Sequence, residues 1–344
     1  MTPAATSDLD YLAARLHARR SRMAEGARLD ALCNIRTIFE LSHAVRLDTE
    51  PQSATEFQRQ LLQNLIQELA GCARHVGGAG GEVFAWILAR FQVENMKTLV
   101  CGLMNNISPE VLQEHLAPLP EGLALDVQGL ATAKSLQDFV GLLPPGTPRQ
   151  RLGEMVAVQR ERPQPFFLEA ALDCGYFQEL LAKTRRLSGE DQAVVRPLVL
   201  QEANFFQFML AVRGRFHFEL PAGLLLALRL PGICDAWFKN LLAAPDLPAA
   251  AKSSVGIVID ELPEDRAAGE TVLEALAWKR FLRLANGAFR RSHMGLGAVI
   301  GYAGLRRVET ANLITLSEGI RTGMTAEAMR ARMIPRTDLE AAYV

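Results

Sequence analysis

Several stretches hold residue types that could do chemistry. Val255 to Glu261 reads VGIVIDE, an apolar run ending on an acidic pair, as in a strand that positions a nucleotide-bound metal. No G-x-x-x-x-G-K-[ST] loop accompanies it, and without that cradle and its lysine the phosphates have no holder. Asp260 and Glu261 are therefore expected to begin a loop. Gly295-x-Gly297-x-x-x-Gly301 approaches a dinucleotide loop, but no strand precedes it and the third glycine is misplaced. The run Gly77 to Gly81 reads as a flexible connection rather than a phosphate nest. The six histidines (His17, His43, His75, His115, His217, His293) share no H-x-x-H or H-x-x-x-H spacing, and none pairs with a cysteine at a zinc-like distance. Ser292-His293 lacks a G-x-S-x-G context. The residues thus predict no catalytic centre, no metal and no cofactor.

Four basic clusters remain: Arg19-Arg20-Ser21-Arg22, Lys183-Thr-Arg185-Arg186, Arg290-Arg291 and Arg306-Arg307. Each alone reads as a solvated helix face. The sharper alternatives are a surface facing acidic loops or anionic headgroups, and an opening whose charge meets a partner.

The strongest pattern is polar but unreactive. Glu309, Asn312 and Gly319 are spaced by three and seven residues, which puts them on one stripe of a helix. Gly323 then reads as a left-handed stop, and Thr325 with Glu327 as the next start. Upstream, Gln92, Asn95 and Gly102 repeat the spacing, with Asn106 at the stop and Ser108-Pro109 at the restart. Asn204, Gln207 and Gly214 repeat it again, before Leu220-Pro221. An apolar anchor follows each glycine ten residues later: Leu112, Leu224 and Met329. Gly102 and Gly214 are 112 residues apart and Gly214 and Gly319 are 105 apart, so the chain carries a threefold repeat. An amide in a helix interface fixes register, and glycine admits a close neighbour. All nine positions are therefore expected to serve packing.

The elements that must carry these stripes are helices. Tyr11 to Glu25 is basic and amphipathic, and Leu29 to Val45 continues as a second helix. Ser53-x-x-Glu56 is a capping box opening Glu56 to His75, with apolar residues at helical spacing. Leu142 to Pro148 is punctuated by proline and glycine. Leu168 to Leu187 is amphipathic, Ser188-x-x-Asp191 is placed to cap the helix after it, and Glu270 to Ser292 is long and charged. Val255 to Ile259 is the single strand-like run. The fold predicted is all-α, in three helical units at 1–118, 119–228 and 229–344. The N-terminal helices need not pack into the unit they precede.

Composition agrees with a folded, unreactive chain. Of 344 residues 49% are hydrophobic, enough for a substantial core, and a formal charge of −1 removes any global electrostatic case for nucleic acid. Five cysteines without C-x-x-C spacing predict reduced, buried thiols in a cytosolic compartment. The opening residues are polar, with no signal peptide legible. The longest apolar runs fall short of the roughly 18 residues that span a bilayer, so membrane association is expected to be peripheral.

Three stretches resemble the C/AC39 family of V/A-type rotary ATPase components, whose eukaryotic relative is the d component of the V-ATPase. Leu168-Glu169 through Asp173, Tyr176 and Phe177 is similar to the family's E-x-x-L-D-x-x-Y-F. Asn204 to Gly214, followed by Leu230-Pro231-Gly232, resembles its second helix and Pro-Gly turn. Tyr302, Glu309, Asn312, Gly319 and Gly323 match its closing signature. Arg307 stands where the family usually has an acid, and Asn204 where it has Asp. The resemblance implies three similar helical domains arranged with approximate threefold pseudo-symmetry into a funnel. It implies a non-catalytic central-stalk (rotor) component at the cytoplasmic face, with the proteolipid (c/K-type) ring on one side and the central shaft on the other. A helical scaffold or adaptor outside that family would show the same periodicity without needing three equivalent lobes.

Overall fold

The computed structural model describes residues 4–252, 266–292 and 294–334. Their regular structure is helical, with no strand among the described residues. The helices are α1 (Ala4–Arg20), α2 (Gly26–Leu32), α3 (Ile38–Val45), α4 (Ala54–Ala73), α5 (Gly78–Met104) and α6 (Pro109–His115). The short α7 (Val127–Ala131) and α8 (Leu136–Leu142) lead to α9 (Thr147–Val158), α10 (Pro165–Thr184), α11 (Gly189–Val212) and α12 (Ala222–Ala227). Then come α13 (Asp235–Ala243), α14 (Leu247–Lys252), α15 (Arg266–Arg291), α16 (Leu296–Arg321) and α17 (Ala326–Arg332). The strand-like run at 255–259, the acidic pair after it and His293 lie outside the described residues.

Local signals place most of these ends. Ser53 Oγ accepts the Glu56 amide at 3.1 Å and caps α4, while Glu56 Oε2 reaches back to the Gln52 amide at 2.7 Å, one residue before the cap amide that a capping box would use. Thr325 Oγ1 accepts the Ala328 amide at 3.2 Å at the start of α17. Pro148 sits in the first turn of α9, where its missing N–H leaves nothing unpaired.

Two stretches differ from the sequence reading. Leu29 to Val45 is two helices, not one, because Thr37 is extended and its side chain accepts the Glu40 amide, starting α3 afresh. The glycines after Gly77 are not a connection. The break falls at Gly78 itself, whose φ is 59°, and Ala79, Gly80 and Gly81 already belong to the first turn of α5.

The chain forms two compact units, each discontinuous in sequence, and the division falls within α5, α11 and α15. One comprises Met1–Phe84, Leu187–Leu198 and Trp278–Val344. Its axis is α16, buried almost all round along Leu296–Leu305 and packed on α1, α3, α4 and α17. Leu313, Leu316 and Met329 from the chain's end share a core with Leu29, Leu41, Phe57 and Leu61 from its beginning. The other unit comprises Ala85–Arg186 and Val199–Ala277. Its axis is α10, whose buried residues include Phe167, Leu172, Tyr176 and Leu180, packed most closely on α9.

Candidate functional site

Each copy of the repeat is a long helix, a turn and a short helix, closed by one side-chain amide. In the first, Asn95 on α5 meets the chain leaving α6. Its Nδ2 donates to the Ala117 carbonyl at 2.9 Å and its Oδ1 accepts the Ala117 amide at 2.8 Å. In the second, Gln207 on α11 meets the chain leaving α12. Its Oε1 accepts the Leu230 amide at 2.9 Å and its Nε2 donates to the Leu228 carbonyl at 3.2 Å. In the third, Asn312 Oδ1 on α16 accepts the Ile334 amide at 2.8 Å, just past α17. Each amide thereby pairs backbone groups of the chain just past a short helix, where no intrahelical bond serves them.

The glycine seven residues on admits the short helix's anchor. A Cβ on Gly102 would collide with Leu112, one on Gly214 with Leu225, and one on Gly319 would come within 2.6 Å of Met329. The glycine carbonyl then closes the turn, accepting the amide of Ile107 at 2.9 Å, Leu220 at 2.8 Å and Met324 at 2.8 Å respectively. Just before that donor the backbone turns left-handed, at Asn106 (φ 53°), Glu219 (φ 52°) and Gly323 (φ 70°).

The second copy carries one extra residue. Spacing pointed to Leu224 as its anchor, and the structure seats Leu225 instead. The cause is a π turn over Arg213–His217, which winds one more residue into the helix end than an α turn holds. Everything beyond shifts accordingly. The amide-to-backbone separation is 23 residues in this copy and 22 in the other two.

The polar residues three before each amide behave differently from one another. Gln92 Nε2 donates to the Leu123 carbonyl at 2.9 Å. Glu309 is buried, accepts the Ala24 amide and pairs with Arg306. Asn204 is half-buried and makes no side-chain hydrogen bond among the described residues.

Two ion-pair networks brace the modules. In one unit Asp173 on α10 pairs with Arg90 at 2.8 Å and Lys97 at 3.3 Å on α5, and Glu94 joins both cations. The Arg90 guanidinium also lies over the rings of Tyr176 and Phe177, and Trp86 Nε1 donates to the Tyr176 carbonyl at 2.9 Å. Burial by itself would lower the Arg90 pKa, but Asp173 and then Glu94 raise it, so the guanidinium stays charged. Burial by itself would raise Glu94, yet Arg90 and Lys97 hold it below the usual carboxylate range. Cys101 Sγ donates to Glu169 at 2.9 Å, and burial together with that carboxylate pushes its thiol up to about 12.

In the other unit Glu68 on α4 accepts from Tyr302 Oη at 2.6 Å, Arg306 Nε at 2.9 Å and Arg19 at 3.0 Å. Burial, then the Glu68 charge, push the Tyr302 phenol well above its ordinary value, so it remains a donor. Gln58 on α4 reaches α16 as well, donating to Ser317 Oγ at 3.0 Å and Glu318 Oε1 at 2.6 Å.

Of the basic clusters, those at Arg19, Arg290 and Arg306 fall in this one unit. Arg19 and Arg306 are held by Glu68, Arg20 by Glu25 and Asn286, and Arg307 lies over Phe281. Sequence reasoning did not find Arg90, Lys97 or Glu68. The i, i+4 and i+7 spacing of Arg90, Glu94 and Lys97 was a visible signal, but their partner on α10 was not. The dinucleotide-like glycines serve helix contact instead: a Cβ on Gly301 would lie 2.6 Å from the Ala285 carbonyl of α15. Among the described residues no group of three or more His, Cys, Asp or Glu is placed to hold a metal, and no helix is long and apolar enough to cross a membrane. What this arrangement can do is hold helices in fixed register.

Among known proteins, residues 12–332 match the family described as ATP synthase (C/AC39) subunit. The C component of the A-type ATP synthase of Methanosphaera stadtmanae is 23% identical over 278 residues, covering 77% of this chain and 70% of that protein.

Proposed function

The chain belongs to the ATP synthase (C/AC39) subunit family, and from that premise we propose that it is the non-catalytic central-stalk component of a V/A-type rotary ATPase. In this reading it sits at the cytoplasmic face of the membrane, with the proteolipid ring on one side and the central shaft on the other. ATP chemistry and ion translocation belong to other components of the complex. Each copy of the repeat heads one of three lobes of a collar, at 1–118, 119–228 and 229–344, and the nine repeat positions set helix register within them.

The observation that carries the reading is where the family-like side chains point. Asp173, Tyr302, Glu309, Asn312 and Gly319 all engage neighbouring helices or the adjoining backbone. A part that transmits torque needs stiffness, and close packing with satisfied polar contacts provides it. Affinity capture of the tagged chain from native membranes should bring down the proteolipid and shaft proteins together. Intact, active complexes that lack the chain would end the proposal.

A further inference from the structure

One cleft of the α16 unit is not accounted for by torque transmission. It has a volume of about 620 Å³ and lies between the turn that joins α1 to α2 and the facing sides of α15 and α16. That size falls in the roughly 300–1,000 Å³ range of small-molecule sites. Leu29, Leu282, Leu305 and Val308 contribute apolar wall, while Arg20, Arg28, Arg283 and Arg290 contribute charge.

Among the described residues the charge is not balanced within the cleft. Its two carboxylates are already engaged, Glu25 by Arg20 and Glu309 by Arg306. Among the described residues Arg28 donates to the carbonyls of Arg22 and Ala44. Arg283 and Arg290 lie seven apart on α15, so they share a face, and they form no ion pair or hydrogen bond among the described residues. Arg20 Nη1 is buried without a hydrogen bond among the described residues, and its guanidinium lies over the Phe289 ring. Guanidinium forks match phosphate oxygens in bidentate geometry, and an apolar wall beside them suits an organic body carrying the phosphate.

We propose that this cleft binds a phosphate-bearing anion, with Arg283 and Arg290 taking the phosphate oxygens. The same chemistry is offered by a soluble organic phosphate and by the headgroup of an anionic lipid. Calorimetry of the full chain with sodium pyrophosphate at physiological salt should show saturable binding at one site per chain. The Arg283→Gln/Arg290→Gln variant alters only exposed positions of α15 and should fold like the parent by circular dichroism. It should bind pyrophosphate weaker by about tenfold or more for each arginine removed. Arg162→Gln, an exposed arginine outside the cleft, should leave the affinity unchanged.

Co-sedimentation with phosphatidylglycerol vesicles, against phosphatidylcholine vesicles, separates the two sources. Vesicle binding that pyrophosphate displaces and the double variant loses identifies a lipid headgroup. Pyrophosphate binding without vesicle binding identifies a soluble ligand. No saturable pyrophosphate binding, or equal affinity in the parent and the double variant, would overturn the site. So would an Arg162→Gln effect as large as the cleft variant's.

Discussion

Replacing Asn95 by leucine keeps its volume while removing both contacts to Ala117, and the structure fixes what that should cost. The Ala117 amide and carbonyl each lose their partner. A buried group left unpaired costs roughly 1–3 kcal/mol. Ala117 is half-buried, so water reaches it in part and the lower end applies, about 1 kcal/mol for each group. The sum of about 2 kcal/mol raises local opening of the turn by a factor of about 30. Amide hydrogen exchange reads this directly, and the Ala117 N–H should exchange about 30-fold faster than in the parent. Gln207→Met should cost more, about 3 kcal/mol, because the Leu230 amide it orphans is fully buried, while the Leu228 carbonyl keeps the Cys174 thiol as a donor. Asn204→Ala removes no bond and should fall within about 0.5 kcal/mol of the parent. An unchanged Ala117 exchange rate in Asn95→Leu would refute the role given to the amides. An Asn204→Ala cost matching that of Gln207→Met would do the same.

Further outcomes follow from individual contacts. Gly175→Ala and Gly301→Ala place a methyl against backbone, 2.7 Å from Pro148 N and 2.6 Å from the Ala285 carbonyl, and should each destabilise by about 1–3 kcal/mol in urea unfolding. Gly319→Ala meets the flexible Met329 side chain and should cost less; the reverse order would contradict the packing described. Because Arg90 and Lys97 hold the folded-state pKa of Glu94 below its unfolded value, its contribution is present above the unfolded pKa and is lost as pH falls through the folded one. Glu94→Gln should therefore flatten the acid limb of a melting-temperature profile, and an unaltered limb would count against the network. Cys72 is buried and its thiol is pushed up to about 11 by burial and then by Glu68, whereas Cys234 is exposed. Iodoacetamide at pH 8, followed by mass spectrometry, should label Cys234 first, and labelling of Cys72 before unfolding would contradict its burial.

What was legible in the sequence was whatever has a short period or a local cap. Helical spacing marked α4, α10 and α16, and Ser53 and Thr325 announced starts because a cap bonds an amide only three residues on. The recurrence of amide and glycine marked three turns and carried the family. Two local features still escaped. The left-handed Gly78 with its helical neighbours looked like a linker, and Thr37 split what periodicity drew as one helix.

The tertiary structure decided everything that joins residues far apart. Glu309 meets the Ala24 amide across 285 positions and Tyr302 meets Glu68 across 234. No period or cap encodes such pairings, because they depend on how whole helices cross. Met329, legible as the third anchor, lies in a core completed by α2, α3 and α4 from the other end of the chain. The π turn after α11 is of the same kind: sequence sets the spacing of residues, but how tightly a helix end winds depends on the backbone and what packs against it, and that moved the anchor from Leu224 to Leu225.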